Sequence, residues 1–526
     1  MEHFEVKFEP DGKKLLIHSG ATILEAAEMA GIVLNTTCGG KGTCGKCAVK
    51  IGTELKKVLA CQSKIESDIV VTIPQGSRFF EQRILTAGIE RQEKIVCDIF
   101  KRYKDIAGGK IFGAAVDVGT TTVVVKLVDM ESSRSVGCAA AVNPQVRFGD
   151  DVISRIAYGD SAAKRAELQK AITECVDELI GRLCSEAGIG RDDVYEVSVV
   201  GNTTMNHIFL NWPLEQLGQA PYKAYCVAAV DVRPDKVGIR INKRGNVHTV
   251  ENIAGFVGSD TNAVALAVGA ESLGKVSLIV DIGTNGEIVL AAGGRLCAAS
   301  CAAGPALEGA RISCGSRATE GAIEAVVING GDIDIDVIGG VEARSICGSG
   351  LIDATAVMLE LGVIDATGRF AAADELAGKA PEAVLKRIIE IDGQGAFVLS
   401  KKGGAKVVLT QKDVREVQLA KAAIRAGITL LIKEMGLRDG DIEQVLLAGA
   451  FGNYIRRESA LRIGLLANVE PARIHFIGNA ASTGAEMVLL SSAMREGAGR
   501  LARKIEYIEI AHLAEFSAVY AECMMF

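Results

Sequence analysis

The sequence lacks two features: an uncharged apolar segment long enough to cross a membrane, and a long run of charge of one sign. Its 526 residues include 58 basic and 65 acidic side chains, for a net charge of −7. Each window of about 20 residues contains a charged side chain, which excludes a transmembrane helix. Without a basic patch, nucleic acid and anionic membranes are poor candidates for partners.

A secretory signal is also missing, because residues 1–10 alternate apolar and charged side chains. The 14 cysteines of the chain therefore indicate a reducing compartment and a metal centre rather than disulfides. We expect a cytoplasmic protein of an oxygen-poor, anaerobic cell. A chain of 526 residues exceeds one hydrophobic core, so two or three domains are expected.

Four cysteines near the start of the chain have the spacing of an iron-sulfur ligand set. Cys38, Cys44 and Cys47 follow the pattern C-x5-C-x2-C, and Cys61 follows after a longer gap. Plant-type ferredoxins use C-x4-C-x2-C with a distant fourth cysteine, whereas structural zinc sites use C-x2-C pairs. Glycines between the first three cysteines let the backbone wrap closely around a cofactor. The pattern predicts a [2Fe-2S] cluster, with a zinc site or four buried thiols as the alternative.

The flanking segments predict a small domain around these cysteines. Residues 3–8 and 14–17 alternate as two strands joined by a turn, and an Ala-rich helical segment follows them. Later strands are predicted at 48–51 and 69–73. This order is that of a β-grasp ferredoxin domain, which we place at 1–75.

Residues 76–110 are charged and carry no apolar pattern strong enough for a core. We interpret them as a linker that tethers the cluster domain. From residue 111 onward, apolar strands punctuated by glycine predict an α/β domain that reaches residue 526.

An internal repeat divides this second domain. Asp117-Val-Gly-Thr-Thr-Thr is echoed by Asp281-Ile-Gly-Thr-Asn-Gly-Glu, and each motif ends a buried strand and begins a second one. The turn backbone and hydroxyls can hold phosphates while the aspartate reaches a metal. Two copies predict two similar halves, about 111–275 and 276–526, that face each other across a nucleotide cleft.

A third motif and two predicted helix starts complete the pattern. The strand 444–448 runs into Gly449-Ala450-Phe451, a turn that lets an adenine or ribose lie against the backbone. Helices are predicted to begin after Asn202 and Asn479, with glycines close by, as tightly crossing helices at a hinge would need. Taken singly, each of these segments fits any α/β protein.

Together the three motifs resemble the phosphate-1, phosphate-2 and adenosine motifs of the acetate and sugar kinase, heat-shock chaperone and actin superfamily. With an N-terminal [2Fe-2S] domain, the chain resembles the reductive activators of corrinoid proteins. The resemblance implies an α/β and α+β multidomain fold, in which a β-grasp ferredoxin domain precedes a duplicated ribonuclease-H-like, actin-like ATPase domain.

The resemblance also implies roles for individual residues. Asp117 and Asp281 would hold Mg²⁺ through waters, and Asp260 and Glu308 are candidates for positioning the attacking water. The nucleotide phosphates would contact Gly119, Thr120, Thr121, Thr122, Gly283, Thr284 and Asn285. The adenosine would lie beside Gly449, Ala450 and Phe451.

The activity implied is that of an ATP-hydrolysing iron-sulfur electron-transfer protein. It would reduce the inactive Co(II) of a corrinoid protein to Co(I) by one electron through the cluster, and so support corrinoid-dependent methyl transfer. A plant-type cluster at about −400 mV is too weak a donor alone, so an ATP-driven conformational change would supply the missing drive. The expected partners are a corrinoid protein of a methyltransferase system and an upstream low-potential electron donor, and the protein is expected to form a homodimer.

Three alternatives stay open. The chain could activate a radical dehydratase or benzoyl-CoA-type reductase, with a second centre built from Cys297, Cys301, Cys314 and Cys347, although their uneven gaps favour ordinary buried thiols. It could be a redox-sensing nucleotide-binding module, or a small-molecule kinase with an appended ferredoxin. His207, within a predicted helix, is expected to pack rather than to bind a ligand.

Overall fold

The computed structural model describes residues 3–10, 12–30, 32, 34, 42, 47–52, 55–74, 95–372, 374–401, 406–449 and 455–526. Four predicted site residues lie outside these ranges, namely Cys38, Cys44, Ala450 and Phe451. The chain forms two compact units, Met1–Glu81 with Pro144–Tyr158, and Gln82–Asn143 with Gly159–Phe526. The predicted boundaries, by contrast, place residues 144–158 in the ATPase domain.

The first unit contains a five-stranded sheet and two short helices. Its elements are β1 (His3–Glu9), β2 (Lys13–His18), α1 (Ile23–Met29), β3 (Ala48–Ile51), β4 (Lys56–Leu59), β5 (Ile69–Thr72) and, later in the chain, α2 (Val152–Tyr158). The sheet order is β2-β1-β5-β3-β4, with β1 antiparallel to β2 and parallel to β5. This arrangement confirms the predicted β-grasp fold.

The start of α1 follows from its sequence. Thr22 N–H donates to Glu25 Oε2 over 2.7 Å, and Glu25 N–H donates to Thr22 Oγ1 over 3.2 Å. This reciprocal capping satisfies backbone donors that the first turn leaves unpaired. The helix then buries Ile23 and Ala27 in a core with Phe8 of β1, and Cys47 and Cys61 belong to the same core.

The second unit contains most of the chain. Its strands are β6 (Phe112–Val118), β7 (Thr122–Asp129), β8 (Arg134–Val142), β9 (Val194–Gly201), β10 (Val230–Val232), β11 (Asn246–Thr249), β12 (Ser277–Ile282), β13 (Gly286–Ala292), β14 (Arg295–Cys301), β15 (Ala322–Asn329), β16 (Asp332–Val337), β17 (Ser345–Ile346), β18 (Ile388–Ile391), β19 (Gln394–Ser400), β20 (Val407–Thr410), β21 (Gln444–Ala448), β22 (Ile474–Gly478) and β23 (Glu506–Tyr507). Its helices are α3 (Ala162–Ala187), α4 (Thr203–Phe209), α5 (Ser259–Ala267), α6 (Gly348–Glu360), α7 (Glu382–Leu385), α8 (Gln411–Glu434), α9 (Arg457–Arg462), α10 (Ala480–Leu490), α11 (Ser492–Lys504) and α12 (Phe516–Glu522).

Two six-stranded sheets of this unit share the topology of five strands, and the sixth strand lies at opposite edges of the two sheets. Their orders are β10-β11-β9-β6-β7-β8 and β22-β21-β12-β13-β14-β23. In each, three antiparallel strands (β6 to β8, β12 to β14) are followed by two parallel strands (β9 and β11, β21 and β22) on the side of the first strand. The duplicated ribonuclease-H-like fold predicted from the repeated motif is confirmed. Two three-stranded sheets, β16-β15-β17 and β18-β19-β20, are added within the second half.

Helices α5 and α10 pack in a core that both large sheets share. The two helices cross so closely that a Cβ at Gly484 of α10 would lie 2.2 Å from the carbonyl oxygen of Ala263 in α5. The sequence predicted a tight crossing that involved the helices after Asn202 and Asn479. The helix after Asn479 does cross tightly, but its partner is α5, whereas α4 packs on α3 and β9.

The described part of the predicted linker, residues 95–110, differs from the expected tether. Asp98 N–H donates to Leu490 O over 3.0 Å, and Ser492 N–H donates to Asp98 Oδ1 over 2.8 Å. Ile99 and Tyr103, in the turn that follows, are buried in the core with α10 and α11. This segment is therefore part of the second unit. Among the described helices, none is long and apolar enough to span a membrane.

Candidate functional site

The first unit brings two of the four predicted cluster ligands together. Cys47 lies just before β3 and Cys61 just after β4, and the pairing of these strands places the two residues side by side. Their Sγ atoms are 3.3 Å apart without a disulfide, and the residues are 1% and 8% exposed. Two thiolates on one tetrahedral metal with bonds of about 2.3 Å would lie about 3.8 Å apart. The observed separation is somewhat shorter, so the two sulfurs are close enough to reach one iron, and their role as cluster ligands stays a prediction.

A cavity in the second unit collects the predicted nucleotide residues. Twelve of them line it: Asp117, Gly119, Thr120, Thr121, Thr122, Asp260, Asp281, Gly283, Thr284, Asn285, Glu308 and Gly449. They come from both halves of the repeat, from strand ends, turns and the start of α5. The structure thus places these residues around one cavity, and the roles assigned to them stay predictions.

The two motif turns are built alike and meet. Gly119 N–H donates to Thr122 O over 2.9 Å between β6 and β7, and Gly283 N–H donates to Asn285 O over 3.0 Å between β12 and β13. A Cβ at Gly119 would lie 2.7 Å from Thr122 O, so this turn requires glycine. Thr121 Oγ1 and Thr284 Oγ1 are 3.4 Å apart. One hydroxyl from each half therefore reaches the same point of the cavity.

The third motif also touches the acidic side of the cavity. Gly449 follows β21 with a φ of 94°, and a Cβ there would lie 2.5 Å from Asp281 Oδ1. Both its backbone conformation and this contact require glycine. The adenosine motif is thus in contact with the phosphate-2 motif.

Four carboxyl groups converge in the cavity. Burial raises the pKa of Asp117 to about 7, with further repulsion from Asp260. Burial likewise raises the pKa of Asp281 to about 7, helped by the charges of Asp260 and Asp117, and that of Asp260 to about 6. Glu287 belongs to the second motif, yet the sequence alone assigns it no role; burial and the charges of Asp260 and Asp281 raise its pKa well above the usual range. Acids in this state favour a bound cation, which would lower their pKa values again.

Two asparagines were missed as site residues. Asn202 caps α4 by accepting from Met205 N–H, and its Nδ2 donates to Thr120 Oγ1 over 2.9 Å. Asn479 caps α10 in the same way and donates to Asp117 Oδ2 over 3.1 Å. The signal was present, because each asparagine was identified as a helix cap. What the sequence does not show is where the free amide points.

Glu308 and a missed basic residue form another wall. Thr284 Oγ1 donates to Glu308 Oε1 over 2.5 Å, so a phosphate-2 hydroxyl is held by the carboxylate predicted to position water. Arg317 lines the cavity nearby. Burial lowers the pKa of Arg317 to about 10, and the charge of Glu308 opposes this shift. Arg317 is therefore cationic at neutral pH.

His207 packs, as expected. Its Nδ1 donates to Thr203 O over 2.8 Å, and its Nε2 accepts from Tyr225 N–H over 3.0 Å. Burial lowers its pKa to about 4, so the ring is neutral, and it makes an edge contact with Trp212.

The four cysteines considered for a second centre contact different parts of the second unit. Cys297 donates to Glu506, Cys314 to Lys406 O and Cys347 to Ile323 O. Cys301 lies against Gly427 of α8, where a Cβ would be 2.2 Å from its Sγ. Within the described ranges, no group of three or more His, Cys, Asp or Glu side chains is arranged to hold a metal ion directly.

The fold and site define a class of protein: a nucleotide-binding domain of the actin and sugar kinase type with an iron-sulfur domain in the same chain. Comparison with known families agrees along the chain. Residues 7–66 match the 2Fe-2S iron-sulfur cluster binding domain, residues 112–272 the RACo middle region, and residues 275–526 the C-terminal domain of RACo, the ASKHA domain.

Individual relatives are similar over most of their length. The corrinoid activation enzyme RamQ of Eubacterium limosum is 34% identical, with 94% of each chain aligned. The [Co(II) methylated amine-specific corrinoid protein] reductase of Methanosarcina barkeri is 27% identical over 75% of this chain and 73% of its own. A solved reductive activator for corrinoid, iron-sulfur protein has 30% identity and a TM-score of 0.73, covering 99% of this chain and 98% of its own. The chain belongs to the family of reductive activators of corrinoid proteins, which confirms the resemblance seen in its motifs.

Proposed function

We propose that this protein reduces the inactive Co(II) of a corrinoid protein to Co(I), one electron per cobalt, in a reaction driven by ATP hydrolysis. The observation that carries the proposal is the cavity in which both phosphate turns meet, in a chain that also holds a buried pair of cluster cysteines. The product, a Co(I) corrinoid protein, would be competent for methyl transfer. Similarity to corrinoid activators along 94% of the chain supports the same conclusion.

The redox half of the proposal rests on the first unit. Cys47 and Cys61, together with Cys38 and Cys44, would hold a [2Fe-2S] cluster, and burial of the first two keeps water from their thiolates. A bound cluster of this type supplies one-electron transfer. Gln62 Nε2 donates to Cys61 Sγ over 3.6 Å, a contact that would help to orient this sulfur as a cluster ligand.

The nucleotide half rests on the cavity. Asp117 and Asp281 would hold Mg²⁺ through water molecules, while backbone and hydroxyl groups of the two turns orient the phosphates. Asp260 and Glu308, which line the same cavity, would orient a water molecule toward the γ-phosphorus. Because the turns come from both halves, a bound triphosphate would draw the halves together, and hydrolysis would release them.

The partners of the proposal follow from its chemistry. The electron must come from an upstream low-potential donor, and the acceptor is a corrinoid protein of a methyltransferase system. The proposal includes a homodimer. It also includes a cytoplasmic location, since the free thiols of the protein need a reducing compartment.

The test is anaerobic. The chemically reduced protein is mixed with a Co(II) corrinoid protein from the same cell, and Co(I) absorbance is followed with MgATP, with MgADP and without nucleotide. Co(I) that forms only with MgATP supports the proposal. If ATP is hydrolysed but no Co(I) forms with several corrinoid proteins, the proposal is overturned, and activation of a dehydratase-type enzyme or redox sensing becomes the next hypothesis to test.

A further inference from the structure

The charge on the wall of the cavity is unbalanced. The described lining residues include six acids, Asp117, Asp260, Asp281, Glu287, Glu308 and Glu324, and one basic residue, Arg317. A nucleoside triphosphate brings further negative charge into this surrounding. Mg²⁺ would neutralise part of this negative charge. A divalent ion held by Asp117 and Asp281, however, would lie on the side of the strand ends. On the Glu308 side, the described wall offers Arg317 as its cationic donor.

The loop that carries Arg317 is built to place it. Gly309 has a φ of 79°, and a Cβ there would lie 2.1 Å from Ser316 O. A Cβ at Gly315 would lie 2.1 Å from Gly309 O, so the two arms of the loop touch through backbone alone. Ser316 N–H also donates to Ile346 O over 2.9 Å, and its hydroxyl donates to Ser345 Oγ over 2.6 Å. Ser316 is therefore held by two hydrogen bonds and by the close backbone contact with Gly309. These contacts fix the backbone position from which the Arg317 side chain extends.

Arg317 faces a carboxylate that already has another partner. Glu308 accepts the Thr284 hydroxyl over 2.5 Å, and Thr284 belongs to the phosphate-2 turn. The three side chains thus share one wall, and the favourable charge interaction between Glu308 and Arg317 persists inside a buried site. An incoming phosphate group at the turn would compete with Glu308 for the Thr284 hydroxyl and would attract the Arg317 guanidinium, which lines the same cavity.

We propose that Arg317 binds the γ-phosphate of ATP, and that Glu308 orients the attacking water once the phosphate takes its place beside the Thr284 hydroxyl. This inference rests on the proposed function. In the step, the water oxygen bonds to the γ-phosphorus as the bond to the bridging oxygen of ADP breaks, and the water proton leaves with the inorganic phosphate. Arg317 keeps its protons throughout and stabilises the charge that spreads over the γ-phosphoryl oxygens.

The experiment compares Arg317→Gln and Arg317→Lys with Arg311→Gln in the full chain. Arg311 lies on the same loop, is exposed and does not line the cavity, so it serves as the matched control. Steady-state ATP hydrolysis and the affinity for MgADP are measured for each. We expect kcat to fall on the order of 1,000-fold in Arg317→Gln, as for other arginines that contact a transferring phosphoryl group. The affinity for MgADP, which lacks the γ-phosphate, should change by less than about threefold.

Two further results keep the inference falsifiable. Arg317→Lys retains the charge but not the two-pronged geometry, so partial activity is expected, and added guanidinium ion should raise the rate of Arg317→Gln but not of the Arg311 control. If Arg317→Gln does not fold, the same comparison is made with Arg317→Lys. Normal kcat in the Arg317 variants, or a loss of MgADP affinity as large as the loss of kcat, overturns the role of Arg317 and leaves the proposed function in place. Absence of ATP hydrolysis in the unmodified protein overturns the proposed function with it.

Discussion

The side-chain amide of Asn479 donates to Asp117 Oδ2 over 3.1 Å, although 362 residues separate the two in the chain. The same side chain accepts from Ser482 N–H over 2.8 Å and so caps α10. Asn202 makes the corresponding cap on α4 but donates to the Thr120 hydroxyl. The two asparagines therefore differ in one respect: only the side-chain amide of Asn479 stabilises an ionised carboxylate.

This difference predicts distinct effects of Asn479→Ala and Asn202→Ala. Each loses a helix cap, and we expect each to lower the free energy of unfolding by about 1 kcal/mol. In Asn479→Ala the pKa of Asp117 should also rise, because the hydrogen bond that lowers it is gone. The acidic limb of the pH profile of ATP hydrolysis should then move to higher pH in Asn479→Ala and stay in place in Asn202→Ala. Equal shifts in both variants would contradict the role given to Asn479.

The buried acids predict an unusual dependence of stability on pH. The pKa values of Asp117 and Asp281 are raised to about 7 in the folded state, above their values in the unfolded chain. Between these limits the folded state binds more protons, so stability without metal falls as the pH rises through about 7. Asp281→Asn removes one of these charges. In the absence of Mg²⁺ and nucleotide, it should raise the melting temperature at about pH 8.

The control for this prediction is pH itself. At about pH 4, near the pKa of an aspartate in the unfolded chain, the melting temperatures of the two proteins should differ least. MgATP should raise the melting temperature of the unmodified protein and have little effect on Asp281→Asn, since the metal partner is lost. A variant that melts below the unmodified protein at both pH values, as followed by circular dichroism, would argue against repulsion in the cavity.

The cysteine pair predicts which thiols hold iron. Cys61→Ser should lose the visible absorbance and most of the iron, whereas the anaerobically purified parent protein should contain about two irons per chain. Cys97→Ser is the matched control, because Cys97 is partly buried and its Sγ lies 2.6 Å from Ser133 Oγ, a contact that serine can keep. ATP hydrolysis without a partner should persist in both variants. Full iron content in Cys61→Ser, or substantially more than two irons in the parent, would overturn the assignment.

Local motifs could be predicted from sequence because each is completed within a few residues. The turns at 117–122 and 281–286 carry their own glycine, hydroxyls and flanking strands. The duplicated fold could therefore be predicted, and twelve of the site residues could be expected to line one cavity. Arg317 was missed because nothing beside it in the chain marks a ligand, and Glu287 because its place in the second motif does not show that its carboxyl group lies near Asp260 and Asp281. Their importance comes from Glu308 and Asp260, which other elements bring close.

The same reasoning explains the linker and the helix crossing. Residues 95–110 carry no apolar pattern strong enough for a core of their own, yet Ile99 and Tyr103 are buried because α10 and α11 supply the other side of the core. Gly484 indicated a close helix partner, but a glycine does not state which helix approaches it. Both features depend on pairs of segments that are hundreds of residues apart, and neither member of such a pair reveals the other.

The buried ion pair that holds segment 95–110 predicts a large loss of stability when one ion partner is removed. Glu196 is fully buried and accepts from Arg495 over 2.8 Å, from Asn246 over 2.8 Å and from the hydroxyl of Tyr103. Arg495→Met leaves this carboxylate without its cation, and we expect the free energy of unfolding to fall by about 3 to 5 kcal/mol. Urea denaturation measures the effect. Because the unpaired charge of Glu196 causes this loss, the double variant Arg495→Met, Glu196→Gln should recover much of the lost free energy of unfolding.

The control lies on the same helix. Arg500 of α11 is exposed, so Arg500→Met should change the free energy of unfolding by no more than about 0.5 kcal/mol. Limited proteolysis adds a local measurement, since Tyr103 docks through Glu196: Arg495→Met should expose residues 95–103 to cleavage under native conditions, whereas Arg500→Met should not. If Arg495→Met is as stable as the Arg500 control and the segment stays protected, the carboxylate does not depend on Arg495, and burial of Ile99 and Tyr103 alone would hold the segment in place.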